Sequence, residues 1–384
     1  MFFSFLRPGL AALLFLLSLM VVVRAMWVPL WYAVVAVTEW GHWLALAAFG
    51  VAGWEIAVHL RHPNFYILIP ALLGCVLFFK ALAQARWIAR KLPARLAAVF
   101  GERGRPEFSP LRAATLWGLA PGPVAQEREF AYTTGDGSLL PLRLYTDGRP
   151  GIQPGIMMIH GGGWISGDER QLGAWNRRLA SLGFRVVSIR YRLAPQFHWP
   201  AQKEDAMAAL EFMKAHAAEM GLDATRLAIF GRSAGGQIAL ATAYALRDPA
   251  VRGCIALYPP TDMNFSYWTG KEDDMLGSRP LVRALMGGPP AGNPALYHDA
   301  SPLDFVGPET PPTLLIHGTR DEIVWVRHSE RLRDRMAQAG RPVFLLELPW
   351  ATHGFDAISR GPGAQLELYA LVWFLNAVLR IDPK

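Results

Sequence analysis

Ser233 stands in the stretch Ala228–Gly236, A-I-F-G-R-S-A-G-G, where an apolar run breaks into Gly-X-Ser-X-Gly. His160-Gly161-Gly162-Gly163-Trp164 precedes it, and Asp321 (in H-G-T-R-D) and His353 (in A-T-H-G-F) follow. A serine hydroxyl is a weak nucleophile until a neighbouring base takes its proton, and an imidazole oriented by a carboxylate does this near neutral pH. Ser233 is therefore the candidate nucleophile, His353 the candidate base and Asp321 the candidate acid. Gly161 to Gly163 form a loop without side chains, so their N–H groups, with that of Ala234, are candidate donors to a tetrahedral oxyanion. A lone Gly-X-Ser-X-Gly arises by chance roughly one time in ten in a chain this long. The ordered quartet is what carries weight.

The other candidates are weaker. Asp262 also ends an apolar run and is the alternative acid. Asp168 and Asp205 read as helix-start or hydrogen-bonding residues. His317 and His328 flank Asp321 in sequence without replacing His353. No Cys or His spacing suits a metal, and no cofactor is expected.

These residues need elements that end where they stand. After Pro121, short apolar runs alternate with helical patterns. An antiparallel hairpin, split by Gly135-Asp136-Gly137, leads into strands ending near His160, Tyr191, Ser233, Tyr258, Asp321 and His353. Nearly continuous apolar strands separated by helices predict a mostly parallel sheet with helices on both faces. Residues 121–384 are read as this catalytic domain. Within it, 259–306 is rich in Pro and Gly and reads as an irregular lid or substrate wall holding Met263, Phe265, Tyr267, Trp268 and Met275; its aromatic residues packing on the N-terminal region is the other reading.

The motifs HGGGW with S-G-D, Y-R-L-A-P, G-R-S-A-G-G, L-Y-P-P-T-D, H-G-T-R-D and T-H-G-F resemble those of hormone-sensitive-lipase-like and BD-FAE-like esterases of the α/β-hydrolase superfamily. The chain order Ser, Asp, His is that of this superfamily. The resemblance covers about residues 125–380. It implies an α/β-hydrolase fold, ester hydrolysis through a Ser233–His353–Asp321 triad, and Gly162, Gly163 and Ala234 as the oxyanion donors. The apolar front end is outside the common pattern and is similar to that of membrane-bound relatives such as isoprenylcysteine methylesterases.

Of 384 residues, 52% are hydrophobic and 14 are Trp, and the excess lies at the N-terminus. Gly9 to Val23 and Asn64 to Phe79 carry no charge, and Arg24, Glu39 and Glu55 are the only charged residues between Val23 and Val58. Residues 1–84 are read as a transmembrane helical region of about three spans, two or four being the bounds: Gly9–Leu30 with Arg24 at an interface, Trp31–Val58, and Asn64–Phe79. A secretory signal peptide is the competing reading. Arg7 before an apolar run fits it, but no clear small-X-small cleavage site follows Val23 and the apolar character continues. Trp27, Trp31, Tyr32, Trp40, Trp43 and Trp54 read as an aromatic belt.

Residues 85–120 are read as a basic juxtamembrane linker, or an amphipathic helix on anionic headgroups. The cluster Lys80, Arg86, Arg90, Lys91, Arg95, Arg103 and Arg105 marks the cytoplasmic side, so the catalytic domain is expected there. Residues 1–110 hold ten Lys/Arg and four Asp/Glu, giving +6 of the chain's net +7. This basic excess belongs to a membrane flank, and no nucleic-acid recognition module accompanies it. Cys75 and Cys254 lie in different predicted layers, so no disulfide is expected.

The sequence thus points to a membrane-anchored serine esterase or lipase, its partners a small-molecule or lipid ester and membrane lipid. Two alternatives stay open: acyl transfer on the same triad, and a silent hydrolase fold that only binds.

Overall fold

The computed structural model describes residues 2–23, 25, 27–60, 63–115 and 126–379. Arg24 and the expected domain boundary at 120/121 lie outside the described residues.

Three helices open the chain: α1 (Phe2–Leu19), α2 (Val28–Val58) and α3 (Phe65–Phe100). α2 and α3 are long and apolar enough to cross a membrane, by length and composition. α3 starts on an Asn64 cap whose side chain accepts from Tyr66 N and ends at Gly101, φ +79°. It takes in residues 85–100 of the linker expected at 85–120. In its second half Ala81, Ala85, Ile88, Ala89, Leu92 and Leu96 are buried, a spacing that puts them on one helical face. That face joins the core of the following domain, while the basic cluster stays exposed on the other side. Protein, not headgroups, covers the apolar face.

Eight strands form the sheet: β1 (Gln126–Thr133), β2 (Leu139–Thr146), β3 (Gln153–Ile159), β4 (Arg185–Ile189), β5 (Leu222–Arg232), β6 (Val251–Leu257), β7 (Thr313–Gly318) and β8 (Val343–Leu348). Their order is β1-β2-β4-β3-β5-β6-β7-β8. β1 and β2 pair antiparallel, as does β2 with β4; all later pairs are parallel. Helices α4 (Gly173–Ser181), α5 (Ala201–Ala215), α6 (Ala217–Met220), α7 (Ala234–Leu246), α8 (Met263–Thr269), α9 (Ser278–Met286), α10 (Pro294–Asp299), α11 (Arg327–Gln338) and α12 (Pro362–Leu379) complete the domain. The mostly parallel sheet with two helical layers is the architecture expected. The segment 259–306 is not irregular as expected: it folds into α8, α9, α10 and a short 3-10 turn. Asp262 caps α8 by accepting from Phe265 N, the local signal that starts this helical run.

Helix α12 is buried almost all round, from Pro362 through Leu375. A helix at the surface of a two-layer domain would keep a polar face. Here α3 supplies a third layer over α12. Trp373 Nε1 donates to Gly101 O at 3.1 Å, Phe100 packs edge-on against Phe374 at 4.9 Å, and a Cβ on Gly104 would lie only 2.2 Å from Trp373 O.

Candidate active site

The parallel strands all deliver their C-terminal ends to one edge of the sheet, where open α/β sheets bind ligands. Ser233 follows β5, Asp321 follows β7, His353 follows β8, and the His160–Trp164 loop follows β3. The structure brings the first three together. His353 Nε2 lies 2.9 Å from Ser233 Oγ, and His353 Nδ1 lies 2.7 Å from Asp321 Oδ2. A carboxylate only accepts, so Nδ1 carries the proton and Nε2 accepts from the serine hydroxyl.

The turn at Ser233 explains its glycines. Ser233 sits at φ 53°, ψ −122°, a sparsely populated conformation for a non-glycine residue. Its N–H donates to Leu257 O at 2.9 Å, and its carbonyl accepts from Gly236 N and Gln237 N as α7 begins. A Cβ on Gly231 would lie 2.0 Å from Gly235 O, and one on Gly235 would lie 2.3 Å from the carbonyls of Ile159 and His160. Only glycine lets the turn close and the β3 loop approach it. The partial positive charge of the α7 N-terminus then faces the serine.

Gly161 to Gly163 run beside this turn. Gly161 N donates to Gln171 Oε1 at 2.8 Å and is thereby taken. Gly162 (φ +120°) and Gly163 (φ +59°) hold backbone angles suited to glycine. Among the described residues, no protein acceptor takes the N–H of Gly162, Gly163 or Ala234. Beneath the loop, His160 stacks on Tyr191 with ring centroids 4.1 Å apart, and its Nδ1 donates to Gly161 O. Burial pushes its pKa down to about 4.

Asp321 is fully enclosed. Burial opposes its ionisation, but attraction to His353 and hydrogen bonds from His317 and His353 outweigh it and hold the carboxyl well below the usual range. Ile323 N and Val324 N cap its other oxygen at 2.9 and 2.8 Å. His317 is a brace: Nε2 lies 2.8 Å from Val324 O and 3.3 Å from Asp321 Oδ2, and Nδ1 meets Ser329 Oγ.

The remaining sequence candidates lie elsewhere. Asp262, the alternative acid, caps α8 and pairs with Arg331 at 2.8 Å. Asp205 holds Arg192. Asp168 closes a turn on Arg170 N. His328 accepts from Thr261 N.

Several neighbours escaped the sequence reading. Arg232, the X before the serine, donates to Asp356 Oδ2 at 2.6 Å. Asp356 also accepts from Tyr258 Oη, whose ring lies 4.3 Å from that of His353. Trp31 of α2, read as a belt residue, instead donates its Nε1–H to His353 O at 2.9 Å. Glu39, visible in the sequence as a carboxylate in an apolar helix, accepts from Trp350 Nε1 and Gly363 N.

A cavity of about 430 Å³ lies beside the Gly161–Trp164 loop. Trp164, Leu281, Met275, Ile323, Trp325 and Ala25 contribute to its lining. The segment 259–306 thus forms one wall, and the turn between α1 and α2 borders the same space.

The profile of the BD-FAE family matches residues 144–336, half of the chain. The probable carboxylic ester hydrolase LipM of Mycobacterium tuberculosis is 32% identical over 243 residues, 59% of this chain and 55% of that protein. The esterase LipC of the same organism is 31% identical over 241 residues, 59% of each. The chain therefore spans under two thirds of the length of these relatives. Among solved structures, a bacterial heroin esterase superposes with a TM-score of 0.60 at 26% identity, covering 79% of this chain and 98% of that one. The carboxylesterase EstE1, from a metagenomic library, gives 0.59 at 23% identity, covering 77% and 97%, and bears on the fold alone. The fold is that of the α/β-hydrolases.

Proposed function

The chain belongs to the BD-FAE family, and on that premise we propose that it is a membrane-anchored serine carboxylic ester hydrolase. The observation that carries the reading is the unbroken hydrogen-bond path Ser233 Oγ, His353, Asp321. The names of LipM and LipC as ester hydrolase and esterase support it.

Ser233 Oγ attacks the ester carbonyl carbon as His353 Nε2 takes its proton. The oxyanion accepts from the N–H groups of Gly162, Gly163 and Ala234, each contributing roughly 3–4 kcal/mol to the transition state. Asp321 keeps the imidazole in its reactive tautomer and stabilises the imidazolium. Collapse expels the alcohol, which receives the proton from His353. Water, deprotonated by the same imidazole, then opens the acyl-Ser233 ester and restores the hydroxyl.

The substrate is an ester of modest size or one derived from lipid, matched to a cavity of about 430 Å³. Helix lengths support anchoring. α2 has 31 residues and α3 has 36, roughly 46 and 54 Å at about 1.5 Å per residue, against a bilayer core of about 30 Å. The surplus lies at the catalytic end, where Trp31, Glu39 and the second half of α3 engage the hydrolase domain. Arg7, Glu55 and His59 gather at the other end. The exposed basic face of α3 supports a cytoplasmic position for the catalytic domain.

Purified protein should hydrolyse p-nitrophenyl esters, and Ser233→Ala should lose several orders of magnitude in rate. Undiminished hydrolysis in that variant would sink the assignment. Carbonate washing should leave the full chain in the membrane pellet; release into the supernatant would rule out spanning.

A further inference from the structure

We infer that the N-terminal helices are a working part of the catalytic centre, with Trp31 a positioning residue that holds the backbone of the base, His353. The inference rests on the esterase reading above.

The base loop must turn from β8 to α12 while aiming its imidazole at Ser233, and α2 grips it at three points. Trp31 Nε1 donates to His353 O at 2.9 Å. Glu39 Oε1 accepts from Trp350 Nε1 at 3.0 Å, three residues before the base, and Glu39 Oε2 accepts from Gly363 N at 2.9 Å, ten residues after it. Trp31 and Glu39 are eight residues apart on one helix, so they share a face. The indole also packs under the turn itself: a Cβ on Gly354 (φ +70°) would lie 3.2 Å from Trp31 Cζ2. The acid loop is tied to the same region. Arg320, next to Asp321, donates to Val21 O and, at 2.6 Å, to Val23 O in the turn between α1 and α2. The N-terminal region therefore contacts both loops whose relative position sets the Asp321–His353 hydrogen bond.

Catalysis of this kind is sensitive to misplacement of the base by an ångström or less. The Trp31 bond touches no substrate and no reacting atom, so its loss should appear in turnover and not in binding. It also makes turnover depend on how α2 is seated.

The test compares Trp31→Phe with Trp40→Phe in the full-length protein in detergent. Trp40 is exposed on α2 and serves as the control. With melting temperatures checked for all variants, Trp31→Phe should lower kcat for p-nitrophenyl butyrate by about tenfold with KM within about twofold, and slow fluorophosphonate labelling by the same factor. Trp40→Phe should match wild type. Trp31→His, which restores a ring N–H, should recover part of the lost kcat. Wild-type kcat in folded Trp31→Phe, or an effect on KM alone, overturns the inference while leaving the esterase reading intact; so does Trp31→His no better than Trp31→Phe at equal stability. A wild-type chain that neither hydrolyses esters nor labels overturns both.

Discussion

Arg232 and Asp356 tie the Ser233 turn to the His353 loop through a buried ion pair, Nε to Oδ2 at 2.6 Å. Arg232 is the variable residue of Gly-X-Ser-X-Gly, and Asp356 lies three residues past His353. Glu367 of α12 approaches the same guanidinium at 3.6 Å. Burial raises its pKa well above the usual carboxylate range, and Asp356 is the closer partner of the guanidinium.

Arg232→Met should therefore destabilise the protein by about 3–5 kcal/mol, because it strands a buried carboxylate. Thermal or urea unfolding of the solubilised protein measures this. A melting temperature equal to wild type would mean that water reaches the site.

Stability should fall on mild acidification. Burial, reinforced by the charges on His317 and Arg331, pushes His328 down to about 3, and burial pushes His160 to about 4. Between the ordinary value of 6.5 and these folded values, the unfolded chain binds protons that the folded chain does not, so stability drops as pH falls through that window. Each imidazole contributes about 2 kcal/mol of this loss by pH 5. His328→Gln should flatten the decline of melting temperature between pH 7 and pH 5; an unchanged slope would show that His328 is not the group responsible.

Gln171 fixes the loop that presents Gly162 and Gly163, by accepting from Gly161 N at 2.8 Å. Gln171→Ala should lower kcat by about tenfold with little change in KM, since the loop's donors act on the transition state. Steady-state kinetics on a p-nitrophenyl ester reads this directly. A rise in KM alone would assign Gln171 to substrate binding.

Leu92 of α3 is completely buried in the hydrolase core. Leu92→Ala should cost about 2–5 kcal/mol and lower the melting temperature of the catalytic domain itself. If only a separate, earlier transition moved, α3 would be an independent stalk.

Much of this site was legible because strand ends and turn glycines are local signals. The apolar runs before His160, Ser233, Asp321 and His353 locate the ends of buried parallel strands, and Gly231 and Gly235 mark the only side chain that fits their turn. Other parts had no local trace. The bond from Trp31 to His353 spans 322 residues, and indole in an apolar helix looks the same whether it meets lipid or a catalytic loop. The spacing of Ala85, Ile88, Leu92 and Leu96 beneath the basic residues is legible as an amphipathic helix, but nothing local says whether headgroups or protein cover its apolar face. The Pro and Gly of 259–306 end short helices instead of preventing them, as the Asp262 cap shows. Gln171 carries no signature, because any side-chain acceptor of that reach serves Gly161.

The proposed mechanism requires Ser233 to become covalently acylated. The direct measurement is peptide mapping by mass spectrometry after a fluorophosphonate reacts with the full-length protein. One adduct per chain on the peptide holding Ser233, absent from Ser233→Ala and slowed by saturating ester substrate present during labelling, is the predicted result. Ester hydrolysis that persists with Ser233 unmodified, or an adduct on another residue, would contradict the account.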